Sequence, residues 1–88
     1  MAKVMAVLKI MPEDVETDLN NLVERIKQSL PSDVSLQRAG VEEVAFGIKA
    51  LKLVVLLPEE EGGTYRVEET VSKVSGVSQV DVELVTRV

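Results

Sequence analysis

The sequence predicts an α+β fold in which four strands and two helices alternate in the order β-α-β-β-α-β. Two observations predict it. Apolar residues recur at every second position in some segments, as in a strand, and three or four positions apart in others, as in a helix. At 88 residues and 45% apolar content, the chain can build one hydrophobic core, so we expect a single domain spanning residues 1–88.

The first strand and the first helix follow from this spacing. Residues 3–10 alternate with every even position apolar, and Pro12 closes the strand. The helix after it ends before Pro31, because the residue preceding a proline is pushed out of the helical region. Asp14 or Thr17 is its expected N-cap. The apolar stripe of this helix comprises Val15, Leu19, Leu22, Val23, Ile26 and Leu30.

The second and third strands are predicted to form a hairpin. Residues 34–45 read as a weaker strand with Gly40 as a bulge or bend. Residues 49–57 hold the longest apolar run, with every odd position from 51 to 57 apolar, which places this strand near the middle of the sheet. Phe46 and Gly47 join the two, so either Gly47 or Gly40 is expected to set the loop.

The second helix and the last strand complete the pattern. Thr64 is the expected N-cap of a helix that ends near Gly76, where a C-cap glycine belongs. The last strand runs from residue 80 nearly to residue 88 with alternating apolar positions. The apolar side of the helix comprises Val67, Val71 and Val74.

This order of elements is typical of the ferredoxin-like, or split βαβ, fold. Right-handed crossovers then put both helices on one face of a four-stranded antiparallel sheet, with strand order 4-1-3-2. Even residues of the first and last strands and odd residues of the third are expected to contact the helices. The opposite face, called the open face below, is expected to carry Lys3, Met5, Val7, Lys9, Lys52, Val54, Leu56, Asp81, Glu83, Val85 and Arg87.

The composition excludes several kinds of chemistry. Without Cys or His, the chain has no disulfide, no thiol or imidazole catalysis and none of the common zinc ligands. A net charge of -5 repels phosphate backbones, which argues against direct contact with nucleic acid. The apolar segment at residues 4–11 is far shorter than a membrane span. We therefore expect a soluble, cytoplasmic protein with no cofactor and no membrane contact.

A ferredoxin-like fold serves many functions, so specific residues must decide among them. An RNA-recognition domain needs aromatic residues on its central strands, whereas Phe46 and Tyr65 lie outside them. A metal carrier of this fold needs paired Cys residues, and an acylphosphatase needs an Arg-bearing anion loop, but residues 11–14 offer neither. The acidic runs at 42–43 and 59–61 lack the spacing of a calcium loop and are best explained as solvated loops.

Two function classes stay open on pattern alone. A protein-docking module is suggested by an apolar centre of the open face, because a contiguous exposed apolar patch often marks an interface. A small-molecule-binding regulatory domain that dimerises through its sheet face or edges is the alternative. The apolar centre comprises Met5, Val7, Val54, Leu56 and Val85.

The whole chain resembles the elongation factor 1-beta family of the archaeal type. The most specific feature is the aromatic residue flanked by Ala and Gly ahead of an Ile-Lys-x-Leu strand. The stretches that carry the resemblance are Val7-Leu8-Lys9-Ile10-Met11-Pro12-Glu13, Leu30-Pro31, Val44-Ala45-Phe46-Gly47-Ile48-Lys49-Ala50-Leu51, Gly62-Gly63-Thr64 and Thr86-Arg87-Val88.

The resemblance implies a guanine-nucleotide exchange factor, not an enzyme, that acts on elongation factor 1-alpha, the GTPase that delivers aminoacyl-tRNA. It implies that Phe46 enters a pocket on that GTPase. The nearby residues Gly47 and Lys49 are expected to contact the same partner. It also implies that Arg87, next to Val88, reaches towards the magnesium site of the GTPase. Related eukaryotic factors have Lys where Arg87 stands. We expect a monomer that presents ring and cation as a wedge to the same partner.

Overall fold

The computed structural model describes residues 2–60 and 62–88 and confirms the predicted order of elements. Its four strands form one antiparallel sheet in the order 2-3-1-4, which is the predicted order read from the other edge. Two helices pack on one face, as in the ferredoxin-like fold. The elements are β1 (Lys3–Pro12), α1 (Leu19–Ser29), β2 (Ser35–Ala45), β3 (Ile48–Pro58), α2 (Gly63–Ser72) and β4 (Val77–Arg87).

The core lies between the two central strands and the helices. In β1 the even positions from Val4 to Ile10 are buried, and in β3 the odd positions from Leu51 to Leu57 are buried, as the alternation predicts. The helices contribute Leu22, Ile26, Val67 and Val71 to this core, each at most 1% exposed.

Within the described residues, neither helix is long and apolar enough to cross a membrane.

The N-cap of the first helix lies one residue after Thr17 and four residues after Asp14, the two expected caps. Asp18 is the N-cap, and its side chain accepts a hydrogen bond of 3.2 Å from the Asn21 N–H. The prediction of Asp14 or Thr17 was wrong, because the Asp14 carbonyl accepts from the Thr17 N–H within the preceding turn. Val15 therefore precedes the helix and is 67% exposed instead of joining its apolar stripe.

The second helix begins after a glycine in the left-handed conformation and not at a side-chain cap. Gly62, with φ 73°, precedes its first turn, and no side chain caps it. The expected cap Thr64 lies inside the helix, so that prediction was wrong. The helix ends at Ser72 with Lys73 as C-cap, and Gly76, with φ 98°, instead forms the turn that starts β4.

The hairpin loop is set by Gly47, which has φ 71°, a conformation that favours glycine. Gly40 causes no bulge, because it pairs regularly with Lys52. The irregularities of β2 lie instead between Leu36 and Arg38 and again near its end. This edge strand is exposed along almost its whole length, so the hairpin extends beyond the cover of the helices.

A β-bulge in β4 changes which face its last residues occupy. The register with β1 shifts by one residue at Glu83, and beyond it Val85 pairs with Ala6 and Arg87 with Val4. Paired residues share a face, so Val85 and Arg87 lie on the side of the helices. Their predicted position on the open face was wrong, because the alternation was counted through a bulge that the sequence does not mark.

Candidate functional site

The hairpin between β2 and β3 ends in a fully exposed aromatic ring. Ala45 pairs with Ile48, so Phe46 and Gly47 form the loop between them. The left-handed conformation of Gly47 reverses the chain, and the Phe46 side chain is 102% exposed. A Phe ring offers about 150 Å² or more of surface for burial, all of which is available here to a partner. The ring is not folded onto the protein's own core.

Apolar and charged side chains surround this tip. Lys49 is exposed on β3, where it pairs across the hairpin with Glu43. Gly47, Ile48 and Lys49 line a shallow cleft together with the loop that connects β1 and α1. The neighbouring exposed apolar side chains are Val15, Val41, Val44 and Ile48.

The other predicted contact residues lie at the end of the chain. The Arg87 Nη2 atom lies 2.7 Å from Glu59 Oε1, while 80% of the Arg87 side chain remains exposed. The Val88 N–H donates a 3.0 Å hydrogen bond to the Lys3 carbonyl, and the Val88 side chain is 77% exposed. The terminal residues are therefore fixed through the backbone to the first residues of β1.

The structure does not bring the two groups of predicted site residues together. Arg87 pairs with Val4, which pairs with Leu57, so it lies at one end of β3, whereas Phe46 lies beyond the other end. Leu57 and Ile48 are separated by roughly 30 Å, at about 3.3 Å for each strand residue. The molecule is 41 Å long. The ring and the cation are thus at opposite ends of the long axis.

The open face between these ends has a charged half and an apolar half. Lys52 Nζ lies 2.9 Å from Glu42 Oε2 and 2.8 Å from Glu83 Oε1, so it links side chains of both edge strands. Hydrogen bonds to Glu83 and Glu42 raise the pKa of Lys52, and the bond from Lys52 lowers the pKa of Glu42. Leu84, expected in the core, is 54% exposed on this face. The apolar half also includes Met5, Val54 and Leu56.

Sequence reasoning missed Glu59 and Glu83. Glu59 was assigned to a solvated loop, yet it holds Arg87, and Glu83 was counted as a regular strand residue, yet it forms the bulge. Neither role has a signal in the sequence, because both depend on which strand lies alongside. No group of three or more acidic side chains able to hold a metal ion occurs within residues 2–60 and 62–88.

Comparison with known proteins identifies the family. Residues 5–88 match the model of the EF-1 guanine nucleotide exchange domain. The chain is 49% identical over 89 residues to an elongation factor 1-beta of Staphylothermus marinus, covering 100% of this chain and 99% of that protein. It is 51% identical over 82 residues to an elongation factor 1-beta of Methanococcoides burtonii, covering 93% of this chain and 92% of that protein. This chain therefore belongs to the EF-1 guanine nucleotide exchange domain family.

Proposed function

We propose that this chain promotes the release of GDP from elongation factor 1-alpha, so that GTP can rebind during translation elongation. The observation that carries the proposal is the fully solvent-exposed ring of Phe46 on a hairpin tip, in a chain of the EF-1 guanine nucleotide exchange domain family. Covering this ring with a partner is favourable, because it removes apolar surface from water. The alternative of a small-molecule-binding regulatory domain is not favoured, because this family membership indicates a protein partner.

The hairpin end is the docking end in this proposal. Phe46 is the anchor that enters an apolar pocket of the GTPase, since buried aromatic side chains dominate the energy of most interfaces. Gly47 gives the loop its shape, and Lys49 adds a positive charge at the rim of the contact. Charges at a rim affect the rate of association more than they affect affinity.

The terminal end is the release end. Magnesium bridges the nucleotide phosphates to the GTPase, so a cation brought close to it repels the ion and competes for its oxygen ligands. Arg87 is that cation, and Val88 holds it in place through its backbone bond to Lys3. A guanidinium group can bind two oxygen atoms at once, which suits it to take carboxylate or phosphate oxygens away from the metal.

The separation of the two ends gives them separate tasks. A partner that contacts both must be engaged at two places roughly 30 Å apart, which is the length of nine strand residues. One end can therefore supply affinity while the other disturbs the nucleotide site. Because 48–57 is a continuous strand in the centre of the sheet, the two ends are connected rigidly.

We further propose that the chain acts in the cytoplasm as a monomer, without direct contact to nucleic acid or membrane. The net charge of -5 supports the lack of contact with nucleic acid and membrane, since it opposes attraction to anionic polymers and lipid headgroups. As a nucleotide exchange factor, the chain would use binding alone and no covalent chemistry. Such a factor binds the empty GTPase more tightly than the GDP-bound form, and it accelerates release by binding while GDP is still present and weakening its hold.

Release of fluorescent GDP from elongation factor 1-alpha tests this function. With excess unlabelled GDP and micromolar amounts of this protein, the release rate should rise with the concentration of the protein and then saturate. GDP should in turn weaken the complex of the two proteins by the same factor by which this protein weakens GDP binding. A release rate that stays at its spontaneous value over the whole range would contradict the proposed function.

A further inference from the structure

The cation at the release end has a partner within its own chain. Arg87 Nη2 contacts Glu59 Oε1 at 2.7 Å, and this is a single contact between one nitrogen and one oxygen. The Glu59 side chain is 32% exposed and so is largely covered by the protein, whereas the Arg87 side chain is 80% exposed. Most of the guanidinium side chain therefore remains exposed while this contact is made.

Backbone hydrogen bonds at the start of β1 bring Glu59 and Arg87 together. The Glu59 N–H donates to the Ala2 carbonyl at 3.1 Å, and the Val88 N–H donates to the Lys3 carbonyl at 3.0 Å. The residue after β3 and the last residue of the chain are thus bonded to two adjacent residues at the start of β1. The bulge at Glu83 then places Arg87 on the helix side of the sheet.

The contact between Arg87 and Glu59 weakens the electrostatic field that Arg87 exerts on a partner. At several ångströms, a cation paired with a carboxylate acts as a dipole, whose field falls off faster than that of a single charge. While the pair holds, Arg87 repels a magnesium ion less than a free guanidinium group would. Exposed ion pairs of this kind are weak, so the contact can break at little cost.

We propose that Glu59 restrains Arg87, and that exchange requires the guanidinium group to pass from Glu59 to oxygen atoms of the partner's nucleotide site. This inference rests on the proposed function. Glu59 acts through Arg87 and does not itself contact the nucleotide site. Its carboxylate competes with the partner's oxygen atoms for the same cation, so removing its charge should speed exchange.

The test is a double-mutant cycle on GDP release from elongation factor 1-alpha at low factor concentration. It compares the wild type with Glu59→Gln, Arg87→Ala and the double variant. Glu24→Gln is the control for net charge, because Glu24 lies on α1 and forms no ion pair within the described residues. Glu59→Gln should release GDP about two- to fivefold faster than the wild type, the range expected for a weak surface pair.

The increase in the GDP release rate caused by Glu59→Gln should depend on Arg87 and on ionic strength. It should vanish in the Arg87→Ala background, and it should shrink towards 1 M salt, where charges are screened within about 3 Å. Three results would overturn the restraint while leaving the proposed function intact: Glu59→Gln no faster than an active wild type, an equal gain without Arg87, or an equal gain in Glu24→Gln. An inactive wild type would overturn both.

Discussion

Phe46 has the most exposed large apolar side chain in the part of the chain that the structure describes. Its position depends on the residue after it, because Gly47 adopts φ 71° and so directs the loop away from the core. Nothing in the fold needs the ring for packing. Affinity for a partner and stability of the fold are therefore separable at this residue.

Replacement of Phe46 by Ala should weaken binding to nucleotide-free elongation factor 1-alpha by about 2 kcal/mol or more, the scale of an interface hot spot. The stability of the free protein should change by less than about 0.5 kcal/mol, since no packing is lost. Isothermal titration calorimetry and urea unfolding measure the two quantities. Tyr65→Ala, which removes another aromatic side chain that is 67% exposed, is the matched control and should leave binding unchanged.

The left-handed backbone conformation of Gly47 contributes to the stability of the fold. Ala at this position should destabilise the fold by about 1 kcal/mol, because a left-handed backbone strains any residue with a Cβ atom. Gly40→Ala is the control, since both glycines have open space for a Cβ atom and only Gly47 has a positive φ. Urea unfolding should find Gly40→Ala neutral or slightly stabilising. Equal losses for both variants would contradict a conformational role for Gly47.

At the scale of elements, the sequence predicts those features of the fold that depend on the spacing of apolar residues within one segment. The order of strands and helices, the central position of β3 and the location of Phe46 in a hairpin loop all follow from apolar spacing and from glycine. Helix starts were missed because Asp14, Thr17 and Asp18 are all acceptable caps, and only the path of the preceding turn selects Asp18. The face of Arg87 was missed because a bulge is a property of two paired strands.

The ion pairs of Lys52 join three strands and depend on pH. Glu42 has a lowered pKa, so its contribution to stability is present above the ordinary value of 4.5 and is lost as the pH falls through its folded value. Lys52→Gln should therefore lower Tm at pH 7, and the difference from the wild type should shrink towards pH 3. Thermal melts followed by circular dichroism measure this. A difference in Tm that is constant from pH 7 to pH 3 would show that the ion pair with Glu42 is not its source.

At the scale of the whole molecule, the sheet acts as a rigid connection between two ends. The central strands β1 and β3 pair over eight consecutive positions, from Lys3–Pro58 to Ile10–Leu51, and their buried faces fill the core. A rigid body of 41 Å can hold a partner at one end while its other end enters the nucleotide site. Docking and release are then separable by mutation.

The dependence of the GDP release rate on factor concentration tests this account most directly. Phe46→Ala should raise the concentration that gives half the maximal rate by about 30-fold, which corresponds to 2 kcal/mol, and should leave the maximal rate close to that of the wild type. Arg87→Ala should instead lower the maximal rate and leave the half-saturating concentration close to that of the wild type. If both variants change the same quantity to the same extent, the two ends do not have separate tasks and the account is contradicted.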